Sequence, residues 1–319
     1  MSILNFKRKE KKITVKFFLR KDRGEVKMPD THRYGADTVY YPLYIEFIHR
    51  RKINRCKSLF LEFHKMGTKV HNIPYTYFNE FGVATREFTS EIENLINGDS
   101  SLVRSYQFDL LDLLICEKHH ALNLFKLFED ISDDDFIFSN LSEGYHYSLS
   151  KRADSLYDEV LKELLLDEFQ KLVPSYPIEP QLLKIALSSY SYYEFYQIVV
   201  NIFNMTATYA RAEVSSSSLM HLGQSLYKVQ TKIQEYMAIK PHRYSEMRFT
   251  LTIPVWVVEG HSNKLSVFLK EDRFFDRTHF KSKQEFDGLV DTILSKAEEK
   301  LIHEVSTIKS YFGYTPHYS

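Results

Sequence analysis

The chain has 319 residues, with 42 Lys and Arg against 42 Asp and Glu, 44% hydrophobic and 15% aromatic residues. That composition excludes a disordered, collagenous or coiled-coil chain and predicts an ordinary globular protein. No apolar run approaches the roughly 18 residues that span a bilayer, and the basic first stretch leads into a strand-like segment rather than a signal-type apolar region, so a cytoplasmic location without a membrane partner is expected.

The zero net charge hides a segregation along the chain. Residues 1–65 carry 17 basic and 7 acidic side chains, residues 66–170 carry 8 and 20, and residues 171–319 carry 17 and 15. A positive head favours a polyanion, and the acidic stretch after it would repel one on the same face. The two zones therefore face different ways or face each other, and the plain alternative is that the acidic region docks against the head. Cys56 and Cys116 are too few and too far apart for a disulfide framework or a paired-cysteine metal site.

In chain order, Ile13, Val15, Phe17 and Leu19 alternate with Thr14, Lys16, Phe18 and Arg20, the period of a half-buried strand. A turn-rich connection over 21–37 leads to a second strand marked by Val39, Tyr41, Leu43, Ile45 and Phe47. Pro42 near its beginning marks either an edge position or a strand start. Arg50, Arg51 and Lys52 form a tight reversal into a third strand, Ile53 to Phe63, so the second and third strands are antiparallel.

The middle reads as helical. Ser90 and Glu93 give a capping box for a short helix ending near Asn97 and Gly98. A long amphipathic helix spans Ser101 to Glu129, with a break near His119. Further helices are predicted from Ser150 to Val173, from Tyr190 to Ala212, and from the serine run at 215–218 to about Ile239. The tail reads as a hairpin, Phe249 to Val258 and Lys264 to Leu269 around Gly260, followed by a helix capped by Ser282 and Glu285 and running to about Lys309.

The fold class is thus α+β: an N-terminal three-stranded antiparallel β region (1–65), a large helical body (66–245), and a C-terminal β-hairpin with a long helix (246–319). Strands at both ends of the chain allow the hairpin to join the N-terminal sheet.

Signatures of phosphate-binding loops, dinucleotide folds, zinc peptidases and serine hydrolases are missing. His119 and His120 are adjacent and point about 100° apart on a helix, so surface or packing roles are expected. The acidic run Asp133, Asp134 and Asp135 lacks the glycine and distal glutamate of a calcium loop and reads as helix-end compensation. Arg273 and His279 loosely resemble the Arg and His pair of HEPN-type ribonucleases, the basis for a nuclease-type alternative. No cofactor, metal or catalytic residue is assigned.

The basic β region carries the candidate site: Lys16, Arg20, Lys21, Arg23, Arg50, Arg51, Lys52, Arg55 and Lys57. A sheet with Lys and Arg on one face can enter a major groove and bind phosphates and guanine edges. The interleaved Phe18, Tyr40 and Tyr44 can instead stack unpaired bases.

The segments ITVKFFLRKDR (13–23) and YPLYIEFIHRRKINRCKS (41–58) resemble the N-terminal arm-type DNA-binding domain of tyrosine recombinases from bacterial mobile elements. That resemblance covers about 50 residues and implies a three-stranded sheet that contacts DNA. The catalytic half of such an enzyme needs a spaced Arg, a Lys, a His-x-x-Arg box and a Tyr nucleophile; the box is missing, so recombinase activity is not expected. The expected function is a non-enzymatic nucleic-acid-binding accessory protein of a phage or mobile element, with DNA and a protein partner or a second copy as partners. The alternative is a structural or assembly protein in which the charge zones make subunit contacts.

Overall fold

A computed structural model describes residues 13–19, 43–58, 108–129, 136–172, 191–210, 217–238, 252–271 and 280–313. Three strands come first: β1 (Thr14–Leu19), β2 (Leu43–His49) and β3 (Lys52–Lys57). Eight α-helices follow among the described residues: α1 (Phe108–Lys126), α2 (Leu141–Ser150), α3 (Ala153–Leu172), α4 (Tyr192–Ala210), α5 (Ser217–Ala238), α6 (Ile253–Val258), α7 (His261–Leu269) and α8 (Lys283–Ser310). The fold class is α+β. None of these helices is long and apolar enough to cross a membrane. The expected short helix at 90–98, the acidic run 133–135, and Arg273 with His279 lie outside the described residues.

The sheet is antiparallel throughout, in the order β1-β2-β3. Pro42 lies outside the described residues; β2, described from Leu43, is the central strand. The predicted break near His119 is not there; α1 runs continuously through it.

The predicted C-terminal hairpin is also overturned: 253–258 and 261–269 are helices α6 and α7. A short apolar run such as IPVWVV has no period that separates a buried helix from a buried strand. Here Ile253, Pro254, Val255 and Trp256 are all buried, and Pro254 sits in the first turn, where its missing N–H costs nothing. Gly260, at φ 65, makes the left-handed joint between two helices rather than a hairpin turn.

The chain divides into two compact units. The first comprises residues 1–150, 243–258 and 305–319; the second comprises 151–242 and 259–304. In the first unit an aromatic cluster holds the sheet to the helices. Phe47 of β2 meets Phe125 of α1 and Tyr145 of α2 at ring-centroid distances of 5.5 and 5.3 Å. Phe128, Phe136 and Phe312 extend the cluster, with Phe136 and Phe312 stacked at 5.6 Å. Asn54, on the inward side of β3, donates its side-chain amide to the Phe138 carbonyl at 2.9 Å and fixes the hairpin on this core.

The second unit is a helical assembly around Asp158. Its Oδ1 accepts the Tyr192 backbone N–H at the start of α4 and the Gln230 amide of α5, while Oδ2 pairs with the buried Lys162 ammonium. Along the outer side of α3, Asp167 pairs with Lys296 of α8, and Glu163 and Glu159 pair with Lys300. The pairs step in opposite directions along the two helices, so α3 and α8 run antiparallel. These three acids of the 66–170 stretch thus pair with two lysines of the C-terminal helix.

Candidate nucleic-acid interface

The β-sheet register sorts the predicted cations. Val15, Phe17, Ile45, Phe47 and Cys56 are buried on the inward face. Because side chains alternate, Thr14, Lys16, Ile53, Arg55 and Lys57 point outward, and all are exposed. Pairing places Lys16, Glu46 and Arg55 in one row across the sheet and Tyr44 beside Lys57 in the next. Lys16, Arg55 and Lys57 therefore share one face. Arg20, Lys21 and Arg23 lie outside the described residues.

The row is not purely basic. Arg55 Nε donates to Glu46 Oε2 at 2.8 Å, so a carboxylate sits between two cations. The period-2 pattern names Glu46 as an outward residue, but only the pairing register reveals what it faces. Tyr44, expected as a stacking platform, is 8% exposed. Although the register puts it on the outward face, its ring is covered there and does not offer a face to an unpaired base. Tyr40 lies outside the described residues, as does the Phe18 side chain.

The hairpin tip is charged and exposed. The turn between β2 and β3 contains only Arg50 and Arg51, flanked by the His49–Lys52 pair. Both arginines have positive φ, 47° and 66°, the signature of a type I′ turn. Such turns match the strand twist, but they favour Asn-Gly because a side chain strains the left-handed region. Arg50, Arg51 and Lys52 are all exposed. Two long cations thus project from a rigid tip at a local backbone cost on the order of 1 kcal/mol each.

Behind the sheet lies a polar network that composition and periodicity did not reveal. Buried Glu117 of α1 accepts hydrogen bonds from the Ser58 hydroxyl at 2.6 Å and the Tyr145 hydroxyl at 3.0 Å. His120, one turn on, has Nε2 2.9 Å from Ser148 Oγ and Nδ1 2.8 Å from Thr252 Oγ1. The Ser148 hydroxyl donates to the Tyr145 carbonyl, which assigns the ring proton to Nε2 and leaves Nδ1 to accept from Thr252. A serine beside a histidine suggests a nucleophile, yet both side chains are 0% exposed. The network orders the core, and burial likewise pushes the Cys56 thiol up to about 11, away from thiolate reactivity.

Burial, with a smaller contribution from His119, lowers the His120 pKa from 6.5 to about 3. The folded state thus keeps the ring neutral while the unfolded chain takes up a proton below about 6.5. Stability from this residue is fully present above that pH and is lost as the pH falls toward 3, at roughly 1 kcal/mol per pH unit. Urea midpoints between pH 7 and 5 should fall in the parent protein and fall less steeply in His120→Gln; equal slopes would contradict the assignment.

In the second unit, His261 bridges Glu259 and Tyr236, with Nε2 2.6 Å from Glu259 Oε2 and Nδ1 2.8 Å from the Tyr236 hydroxyl. This carboxylate–imidazole–phenol chain fastens the Gly260 joint to α5. Burial and the neighbouring Glu259 charge raise the Tyr236 pKa, which disfavours a phenolate nucleophile. Among the described residues, no cluster of three or more His, Cys, Asp or Glu is placed to hold a metal ion.

Comparison of the chain with protein-family models, curated proteins and solved structures found no match. The functional reading therefore rests on the residues themselves.

Proposed function

We propose that this chain is a non-enzymatic nucleic-acid-binding protein that contacts phosphates through the tip of its N-terminal hairpin, as an accessory protein of a phage or mobile element. The observation that carries this reading is the pair of exposed arginines at positive φ in a two-residue turn. Stability alone favours Asn-Gly at those positions, so the arginines are there for what their side chains meet. Guanidinium groups at the exposed end of a β-hairpin suit a phosphate backbone. The resemblance of residues 13–58 to an arm-type domain supports the mobile-element context.

The test follows from the strain. R50N/R51G replaces both arginines with the residues the turn prefers. Its hairpin should gain about 1 kcal/mol in stability, while affinity for a short DNA duplex should drop about tenfold or more with the lost phosphate contacts. Opposite signs for stability and binding separate a binding role from a folding defect. Unchanged affinity would remove the tip from the interface.

An assembly role has one observation in its favour: Tyr193 and Tyr227 are 51% and 42% exposed, with ring centroids 5.3 Å apart, on α4 and α5. The charge argument for it is weakened, because Glu159, Glu163 and Asp167 pair within their own unit. Light scattering without nucleic acid distinguishes this reading: it predicts mass that grows with protein concentration.

A further inference from the structure

Resting on the reading of the tip as a phosphate contact, we infer that Glu46 limits the nucleic-acid footprint of the sheet, holding Arg55 out of the interface and confining contact to the tip. The register sets Glu46 on the central strand, between Lys16 on one side and Arg55 on the other. The Arg55 guanidinium is drawn sideways across the strand to Glu46 Oε2 at 2.8 Å rather than projecting from the face. The Glu46 side chain is 15% exposed and that of Arg55 44%, so the carboxylate is sheltered while the cation above it remains reachable.

A phosphate approaching this row meets two cations around one anion, and must displace Arg55 from its partner while a carboxylate repels it. At the tip, Arg50, Arg51 and Lys52 are exposed and consecutive. The sheet therefore presents a strong contact at its end and a weakened one along its face. Because exposed ion pairs contribute little to stability, Glu46 can be changed without dismantling the hairpin. Glutamine keeps its size and an acceptor oxygen while removing the charge.

The experiment measures affinity for a short DNA duplex across a salt series for the full chain and for E46Q, E46Q/R55Q and R50N/R51G. E46Q should bind about three- to tenfold more tightly, and its log–log salt slope should steepen by about one unit, the signature of one added phosphate contact. E46Q/R55Q should lose most of that gain. If the parent protein binds and R50N/R51G weakens it, but E46Q binds no better, the Glu46 inference is overturned while the tip reading stands. Full retention of the gain in E46Q/R55Q overturns it as well, since Arg55 would not be the released group. If the parent protein does not bind at low salt, the tip reading fails and this inference falls with it.

Discussion

Asp158→Ala should lower the stability of the second unit by about 3–5 kcal/mol. One carboxylate there ties together three helices: it pairs with Lys162 on α3, accepts the Tyr192 N–H of α4 at 3.0 Å, and accepts the Gln230 amide of α5 at 2.7 Å. Lys162 is only 2% exposed, so deleting Asp158 takes a paired carboxylate away from a buried ammonium. The start of α4 also loses an anion that satisfied one of its open N–H groups. Urea unfolding followed by far-ultraviolet circular dichroism reads the loss. D158A/K162M, which removes the buried charge and fills the space, should recover most of it; a loss below about 1 kcal/mol in D158A alone would show that Lys162 escapes to solvent.

The second large effect is expected at Phe312. Its ring is fully buried, sits 4.4 Å from Phe128 and 5.6 Å from Phe136 by centroid, and lies against α2 at Gly144. That approach is so close that a Cβ on Gly144 would lie 2.4 Å from the ring, which is why α2 carries glycine there. The Phe312 carbonyl also accepts the Ile137 N–H at 3.0 Å. Phe312→Ala should cost about 3–5 kcal/mol through lost burial and the cavity left behind. Trp256, the single tryptophan, is buried in the same unit and reports its unfolding by fluorescence. A cost below 1 kcal/mol would mean that the aromatic cluster closes over the gap.

The sequence made the N-terminal sheet legible because Val15 and Phe17, and Ile45 and Phe47, recur at every second position around Lys16 and Glu46, and the Arg50–Arg51 reversal sets the pairing. Helices α3, α4, α5 and α8 carried long apolar stripes; α8 also carried its capping box, in which the Glu285 N–H donates to Ser282 Oγ at 3.2 Å. A similar box at Ser191 and Glu194, starting α4, was equally readable. Helix α2 was missed because its buried side is Leu141, Gly144, Tyr145 and Ser148, in which glycine and serine blur the apolar stripe. Helix α6 was misread because a short buried apolar run has no period, whereas the buried residues of α7, His261, Leu265, Phe268 and Leu269, fall at helical spacing and were readable.

For the interface, residue types and the turn were readable, and the decisive details were not. The positive φ of Arg50 and Arg51 is a backbone fact that the residue pair itself does not announce. The burial of Tyr44 and the hold of Glu46 on Arg55 depend on cross-strand register and on what covers the outward face, which no local pattern announces. The same holds for the charge zones: α3 pairs with lysines more than a hundred residues away, which no local reading of charge reveals.

The central claim is that the hairpin tip binds nucleic-acid phosphates, and its most direct measurement is the salt dependence of duplex binding for the parent protein beside R50N/R51G. With Arg50, Arg51 and Lys52 as the described exposed cations at the tip, the parent slope of log affinity against log salt should be about −3, and R50N/R51G should flatten it by about two units. No duplex binding at low salt, or the same slope in both proteins, would contradict the account.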